Sequence, residues 1–192
     1  IVAWIALYRF LPIAVDAAGW RALIPPAARV GFPTLVCFRW IGESVNTLLP
    51  VAQVGGDVVR ARLLAAKTKT PADASASVVA DFTVGLAVQV LFTLIGLGAL
   101  VAVVGVDAKS AAWLFGVAVG AVGVGAFYIA QRQGLFAASG RWLMRRTLGA
   151  RLADVTGGAA ALDEALRGLY RRRGAVIGCA GWRLAGWFVR VG

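Results

Sequence analysis

The chain has 192 residues, of which 60% are hydrophobic and 15% charged, and its mean hydropathy is +0.79. This composition is far more apolar than that of a soluble domain and predicts an all-α polytopic membrane protein. The net charge is +11 and histidine is absent, which excludes a Ser-His-Asp triad, a Cys-His pair and a histidine-ligated metal within the sequence. Catalysis could still rest on carboxylates, since Glu43, Asp57 and Asp81 fall at or near membrane segments, but arginines are their expected partners. We expect no metal or cofactor in this segment.

The basic residues concentrate between the apolar segments. Nine arginines lie between Arg132 and Arg173, and a second basic run includes Arg60, Arg62 and Lys67. Clusters of this kind follow the positive-inside rule, so we expect residues 57–73 and 131–173 to be cytoplasmic loops or segments. The same distribution argues against nucleic acid as a partner.

In chain order, residues 1–20, 80–106, 111–130 and 174–192 are long and apolar enough to be predicted as spanning helices. Residues 135–170 repeat apolar side chains at helical spacing, which predicts an amphipathic cytoplasmic segment. We treat residues 1–192 as a single membrane domain. Because both ends lie inside apolar segments, we expect it to be a fragment of a longer protein.

Residues 34–66 contain two apolar pieces that are each too short to span a bilayer. As helices, residues 34–49 would measure about 24 Å and residues 57–66 about 15 Å, against a hydrocarbon core of about 30 Å. Pro50, Gly55 and Gly56 separate the pieces and interrupt helices. We therefore predict a re-entrant helical hairpin, with a complete crossing as the alternative.

Polar residues follow one face of the first piece. Arg39, Glu43 and Asn46 are spaced four and three residues apart, so a helix would bring them to the same side. Two interpretations stay open, because such a stripe suits either a headgroup-binding surface or an internal ion pair that locks the hairpin.

The second piece predicts a helix that starts at Asp57, with this residue as the N-cap. Arg60 and Arg62 would then lie on nearly opposite faces, and we expect Arg60, one turn after Asp57, to face the same pocket as the polar stripe. Near the next span, Asp81 is interpreted as a helix cap at the water boundary, and Gln89 as part of a cavity wall.

The residues that carry a family resemblance are Ser-Val-Asn-Thr-Leu-Leu-Pro-Val-Ala-Gln-Val-Gly-Gly-Asp-Val-Val-Arg-Ala-Arg-Leu-Leu, 44–64. Asn46, Pro50, Gly55, Gly56 and Arg60 resemble the Asn...Pro...Gly-Gly-acid...Arg pattern of the lysylphosphatidylglycerol synthase transmembrane family, also called flippase-like. Asp57 stands where that family often has glutamate. The similarity is greater to the hopanoid-biosynthesis-associated inner-membrane branch.

This resemblance implies a bacterial inner-membrane protein that translocates or transports a polar lipid. In the synthases of the family, aminoacyl transfer belongs to a separate soluble domain, so we expect no enzyme activity here. The alternatives are the membrane domain of a lipid-modifying transferase and a scaffold for lipid biosynthesis. Expected partners are lipids with polar or anionic headgroups, a second copy of the chain, or lipid-biosynthesis enzymes. The predicted substrate-binding residues are Arg39, Glu43, Asn46, Pro50, Gly55, Gly56, Asp57 and Arg60.

Overall fold

The computed structural model describes residues 2–48, 55–105, 108–133 and 153–191. Within these residues the chain forms seven α-helices and one short 3-10 helix, so the predicted all-α fold class is confirmed. Pro50 and residues 135–152 of the predicted amphipathic segment lie outside the described residues.

The described helices follow one another along the chain. They are α1 (Val2–Leu23), the 3-10 helix (Pro26–Ala28), α2 (Phe32–Leu48), α3 (Gly55–Thr68), α4 (Pro71–Val104), α5 (Ala108–Arg132), α6 (Ala153–Arg171) and α7 (Arg173–Val191). Helices α2 and α3 correspond to the two short pieces predicted between residues 34 and 66, and they pack against each other.

Helix α4 is the longest element and has recognisable ends. Pro71 occupies its first turn, where the missing N–H costs nothing because first-turn N–H groups have no partner within the helix. Gly105 follows its last residue with a positive φ of 88°, which glycine adopts without a steric penalty, and donates its N–H to the carbonyl of Val101 at 2.9 Å. With 34 residues, α4 is about 50 Å long.

Two helices within the described residues are candidate membrane spans, covering Pro71–Val103 and Ala112–Arg132. In the most apolar stretch of each helix, 11% and 0% of the residues are buried. Large side chains such as Leu100, Phe115 and Val122 point away from the protein. An apolar surface of this extent is suited to lipid. Residues 1–20 and 174–192, which form most of α1 and α7, stay predicted spans.

Helix α4 packs against α1, α3, α5, α6 and α7 and is the hub of the fold. Small residues on α4 allow this close approach, as is common between membrane helices. One apolar cluster joins α4 to α1, α6 and α7 and contains Leu23, Ala76, Ala80, Val84, Val88, Leu166, Leu169 and Cys179. Another joins α4 to α1, α2 and α3 and contains Trp20, Ile24, Ala28, Leu35, Leu64, Ala74 and Val78.

Candidate functional site

Asp81 lies on α4 at the meeting point of several helices and is fully buried. Its Oδ2 atom accepts hydrogen bonds from Arg39 Nη1 at 2.7 Å, Arg60 Nη1 at 3.1 Å and Arg183 Nη2 at 2.6 Å. A buried carboxylate is tolerated only where charged donors compensate its lost hydration. Since the donors come from α2, α3 and α7, these pairs tie three helices to α4.

Asp16, on α1, is a second buried carboxylate beside the first. Its Oδ2 accepts hydrogen bonds from Arg39 Nη2 at 3.2 Å and from Arg190 Nη2 at 2.7 Å. Arg183 Nη1 lies 3.6 Å from its Oδ1 atom. Arg39 and Arg183 therefore each bridge Asp16 and Asp81, which joins α1 to the same network.

We call this network the ion cluster. Its described members are Arg39, Arg60, Arg183, Arg190, Asp16, Asp57 and Asp81. Four arginines and three carboxylates thus form one connected set of ion pairs. Arginine side chains can also bind an anion through charge-assisted hydrogen bonds.

A cavity of about 220 Å³ opens beside the ion cluster between α2, α3, α4 and α7. We call it the polar cavity. Its wall comprises Arg39, Gly42, Glu43, Asn46, Asp57, Arg60, Phe82, Gly85, Leu86, Gln89, Arg183, Trp187 and Arg190. Glu43 and Gln89 are exposed and Asn46 is half-buried. These side chains are accessible to a ligand, whereas the arginines supply the charge behind them.

The structure brings together most of the predicted site residues. Arg39, Glu43 and Asn46 line the polar cavity from α2, and Asp57 and Arg60 line it from α3. Of the two earlier interpretations of the polar stripe, the internal ion pair describes Arg39, but its partners are Asp16 and Asp81 rather than Glu43.

The contact between α2 and α3 explains where the glycines lie. The N–H of Gly56 donates to Asn46 Oδ1 at 2.7 Å. A Cβ atom at Gly56 would collide with the carbonyl oxygen of Gly42 and lie 2.8 Å from the Asn46 amide. Gly56 is thus required for close approach of the two helices, and Gly55, at the first position of α3, lies beside Val45.

The prediction that Asp57 caps α3 is wrong. Helix α3 begins at Gly55, so Asp57 lies in its first turn and pairs with Arg60 one turn later. A carboxylate there interacts favourably with the helix dipole without serving as the cap. Of the two arginines, Arg60 lines the polar cavity and is 5% exposed, whereas Arg62 is exposed and is not part of the cavity wall.

Two other interpretations need correction. Asp81 is not a cap at the water boundary, since it lies ten residues after Pro71 and is buried among arginines. Arg60 was counted in the basic run of residues 57–73, but it lies in helix α3, with its guanidinium 5.0 Å from the ring centroid of Trp20 and bonded to Asp81. That indole in turn donates to Ser77 Oγ at 3.1 Å.

Sequence reasoning missed Asp16, Arg183 and Arg190 as site residues. A sequence signal was present, because each is an isolated charge in an apolar segment, which is costly in a membrane unless paired. Arg183 and Arg190 are also seven residues apart, and this spacing places both on one face of α7. What the sequence did not indicate was which carboxylate each would meet.

A larger apolar groove runs between α4 and α5, with a volume of about 760 Å³. Its wall comprises Leu86, Gln89, Val90, Thr93, Ala112, Trp113, Gly116, Val117, Gly120, Gly123, Val124 and Phe127. Leu86 and Gln89 also line the polar cavity. The apolar groove and the polar cavity are therefore adjacent.

A separate polar network links α4, α5 and α6. Gln131 is buried, donates to Thr83 Oγ1 at 2.7 Å and accepts a hydrogen bond from the Tyr170 hydroxyl at 2.6 Å. Burial raises the pKa of Tyr170 to about 12, so its hydroxyl keeps its proton at neutral pH and can donate it. This network fixes the end of α5 against α6.

Among the described residues, no group of three or more His, Cys, Asp or Glu side chains is placed to hold a metal ion. The fold and the site together define a helical membrane protein in which a buried ion cluster borders a polar cavity. The chain belongs to the family described as the lysylphosphatidylglycerol synthase TM region, whose sequence model matches residues 1–192. It is thus a membrane domain of a family related to lipid modification. No curated protein matches the chain, and no solved structure does either.

Proposed function

We propose that this chain binds a polar lipid and carries it between the leaflets of a bacterial inner membrane, as a flippase-like transporter rather than an enzyme. The observation that carries the proposal is the adjacency of the polar cavity and the apolar groove at Leu86 and Gln89. A lipid has a polar and an apolar end, so one molecule would fill both.

The apolar groove has dimensions that suit an acyl chain. Its wall on α5 extends from Ala112 to Phe127, about 22 Å along a helix. One leaflet contributes roughly 15 Å of hydrocarbon, half of the usual core thickness. Part of this wall is open, because Gly116, Gly120 and Gly123 have no side chains and a Cβ atom at any of them would meet nothing within 4 Å.

The polar cavity offers the chemistry for a headgroup. Arg39 and Arg60 would bind a phosphate with charge-assisted hydrogen bonds in exchange for part of their contact with carboxylates. Each buried charge would keep an opposite charge as its partner while the phosphate binds, which lowers the free-energy cost of moving the headgroup into the protein. Asn46 would donate and accept neutral hydrogen bonds, and Glu43 and Asp57 would balance charge or bind a cationic headgroup.

We also propose that α2 and α3 form a re-entrant hairpin. They contain 17 and 14 residues, about 25 Å and 21 Å, and are shorter than a membrane core of about 30 Å. The proposed topology keeps Lys67 and Lys69, at the end of α3, and residues 131–173 on the cytoplasmic side, in line with their basic character.

The experiment measures transbilayer movement of acyl-labelled fluorescent phosphatidylglycerol in proteoliposomes, from the fraction of label that dithionite quenches with time. Arg60→Ala and Asn46→Ala should slow the rate. Gln89→Leu should also slow it, by about three- to tenfold, the value of one neutral hydrogen bond. Arg62→Ala is the matched control because Arg62 lies on the same helix and is exposed.

Gln89 makes this test independent of folding, since its side chain is exposed and lies outside the ion cluster. If all three variants move lipid at the wild-type rate, the assigned site is wrong. If wild-type protein itself moves no lipid, transport is the wrong function.

The description of the family favours a second candidate, the membrane domain of a lipid-modifying transferase. The full-length reading frame separates the two, since a transferase requires a soluble domain that contains its catalytic residues. The likeness of residues 44–64 to the hopanoid-associated branch suggests that the lipid is connected with hopanoid synthesis. A changed hopanoid distribution between leaflets in cells that lack the protein would support that link.

A further inference from the structure

A second cavity, of about 610 Å³, lies where the end of α5 meets the end of α6 and the start of α7. We call it the basic cavity. Its polar wall comprises Arg132, Arg167, Arg171, Arg173, Tyr128 and Tyr170. Among the described residues, this wall includes no carboxylate, which distinguishes it from the polar cavity, where arginines alternate with acids.

The arginines of the basic cavity are accessible to a ligand. All are exposed, and they reach the cavity from three helices. Arg132 packs its guanidinium 5.9 Å from the ring centroid of Tyr128, and Arg167 Nε donates to the backbone carbonyl of Asp163 at 3.2 Å. The side chain of Asp163 itself is buried outside the cavity wall.

Helix stability accounts for only part of this arrangement. Arg132 and Arg171 lie in the last turns of α5 and α6, where cations interact favourably with the helix dipole. Arg173 is the first residue of α7, where the same dipole disfavours a cation. Like charges that converge in one cavity also repel one another. An anion would relieve both penalties.

The position of the basic cavity indicates where that anion comes from. Arg132 ends the candidate span Ala112–Arg132, so the cavity lies at the boundary between hydrocarbon and the headgroup layer. Arginine clusters at this depth suit phosphate groups. The volume exceeds that of one phosphate and lies within the usual range for ligand pockets, about 300–1,000 Å³.

We propose that the basic cavity binds a polyanion with more than one phosphate group, supplied by a lipid headgroup at the membrane surface. This site shares no wall residue with the polar cavity among the described residues. It therefore does not depend on the proposed transport function, and a transport assay without activity would leave it standing.

The test uses the protein in phosphatidylcholine nanodiscs that contain cardiolipin, a lipid with two phosphates, and native mass spectrometry to count bound cardiolipin. A parallel arm measures the affinity for pyrophosphate, a soluble diphosphate. The variant Arg132→Gln/Arg171→Gln/Arg173→Gln should weaken binding by about 100-fold or more, given the strength of charge-assisted hydrogen bonds. The matched control, Arg29→Gln/Arg62→Gln/Lys67→Gln, loses the same charge from exposed positions outside the cavity and should bind as the wild type does.

Each result decides the proposal. If the cavity variant loses cardiolipin binding and the control variant does not, the proposal is supported. If the cavity variant loses only pyrophosphate binding, the lipid source is overturned and the site binds a soluble phosphate. Equal binding of both probes by the cavity and control variants overturns the proposal. If the triple variant loses its helical circular dichroism, Arg173→Gln alone replaces it, because removal of this cation does not weaken α7, and it must still reduce binding.

Discussion

Asp81 shows at the scale of one residue why this site is difficult to interpret from sequence. It lies ten residues after Pro71, about 15 Å along α4, and local context resembles a helix entrance with serines and threonine nearby. Its hydrogen-bond partners, Arg39, Arg60 and Arg183, are 42, 21 and 102 residues distant in sequence. Local pattern indicated a cap at the water boundary and did not predict that Asp81 is fully buried.

Asp81→Asn should destabilise the protein more than any exposed acidic substitution. The change leaves Arg39, Arg60 and Arg183 buried near one another with less compensating charge, and removal of one partner from a buried pair costs about 3–5 kcal/mol. Thermal unfolding in detergent, followed by circular dichroism, measures the effect. Glu164→Gln is the control because Glu164 is exposed on α6. Equal melting temperatures for the two variants would show that the ion cluster does not hold the helices together.

At the scale of elements, apolar length and helix breakers predicted α2 and α3 well. The two short pieces form two helices, and Arg60 rather than Arg62 faces the ion cluster. The boundaries were less accurate, since α3 starts at Gly55 and α4 at Pro71. Helix ends depend on local hydrogen bonds and on tertiary contacts, and hydropathy does not report either of them.

Gly56→Ala tests the close contact between α2 and α3. The new Cβ atom would collide with the Gly42 carbonyl and approach the Asn46 amide, so the helices must separate, at a cost of about 1–3 kcal/mol for an overpacked site. Gly168→Ala is the matched control, because Gly168 lies within α6 with nothing within 4 Å of an added Cβ. That control should stabilise by about 0.5–1 kcal/mol.

Chemical denaturation in detergent compares these two alanine variants. Gly56→Ala should lower the free energy of unfolding, and Gly168→Ala should raise it. A Gly56→Ala variant that is as stable as Gly168→Ala would mean that α2 and α3 do not pack as closely as described.

At the scale of the whole molecule, the all-helical class and the lipid-facing character of α4 and α5 follow from composition and apolar length. The assembly of the ion cluster does not, because Asp16 and Arg190 belong to the first and last described helices, 174 residues apart in sequence. The apolar groove was not predicted either. It depends on how α4 and α5 pack, and Gly116 and Gly120 form an open part of its wall, where an added Cβ atom would meet nothing within 4 Å.

The proposed function requires above all that a single lipid occupies the polar cavity and the apolar groove together. The direct measurement is photocrosslinking of phosphatidylglycerol that has a diazirine on its acyl chain, with the labelled residues mapped by mass spectrometry. Val117, in the groove wall, should be labelled more strongly than Val119, which is 55% exposed on the same helix outside that wall.

The substitution Gln89→Leu should reduce that preference for Val117, because Gln89 borders both compartments. Equal labelling of Val117 and Val119 in the wild type, unchanged in Gln89→Leu, would contradict the claim and leave the groove as ordinary lipid-facing surface.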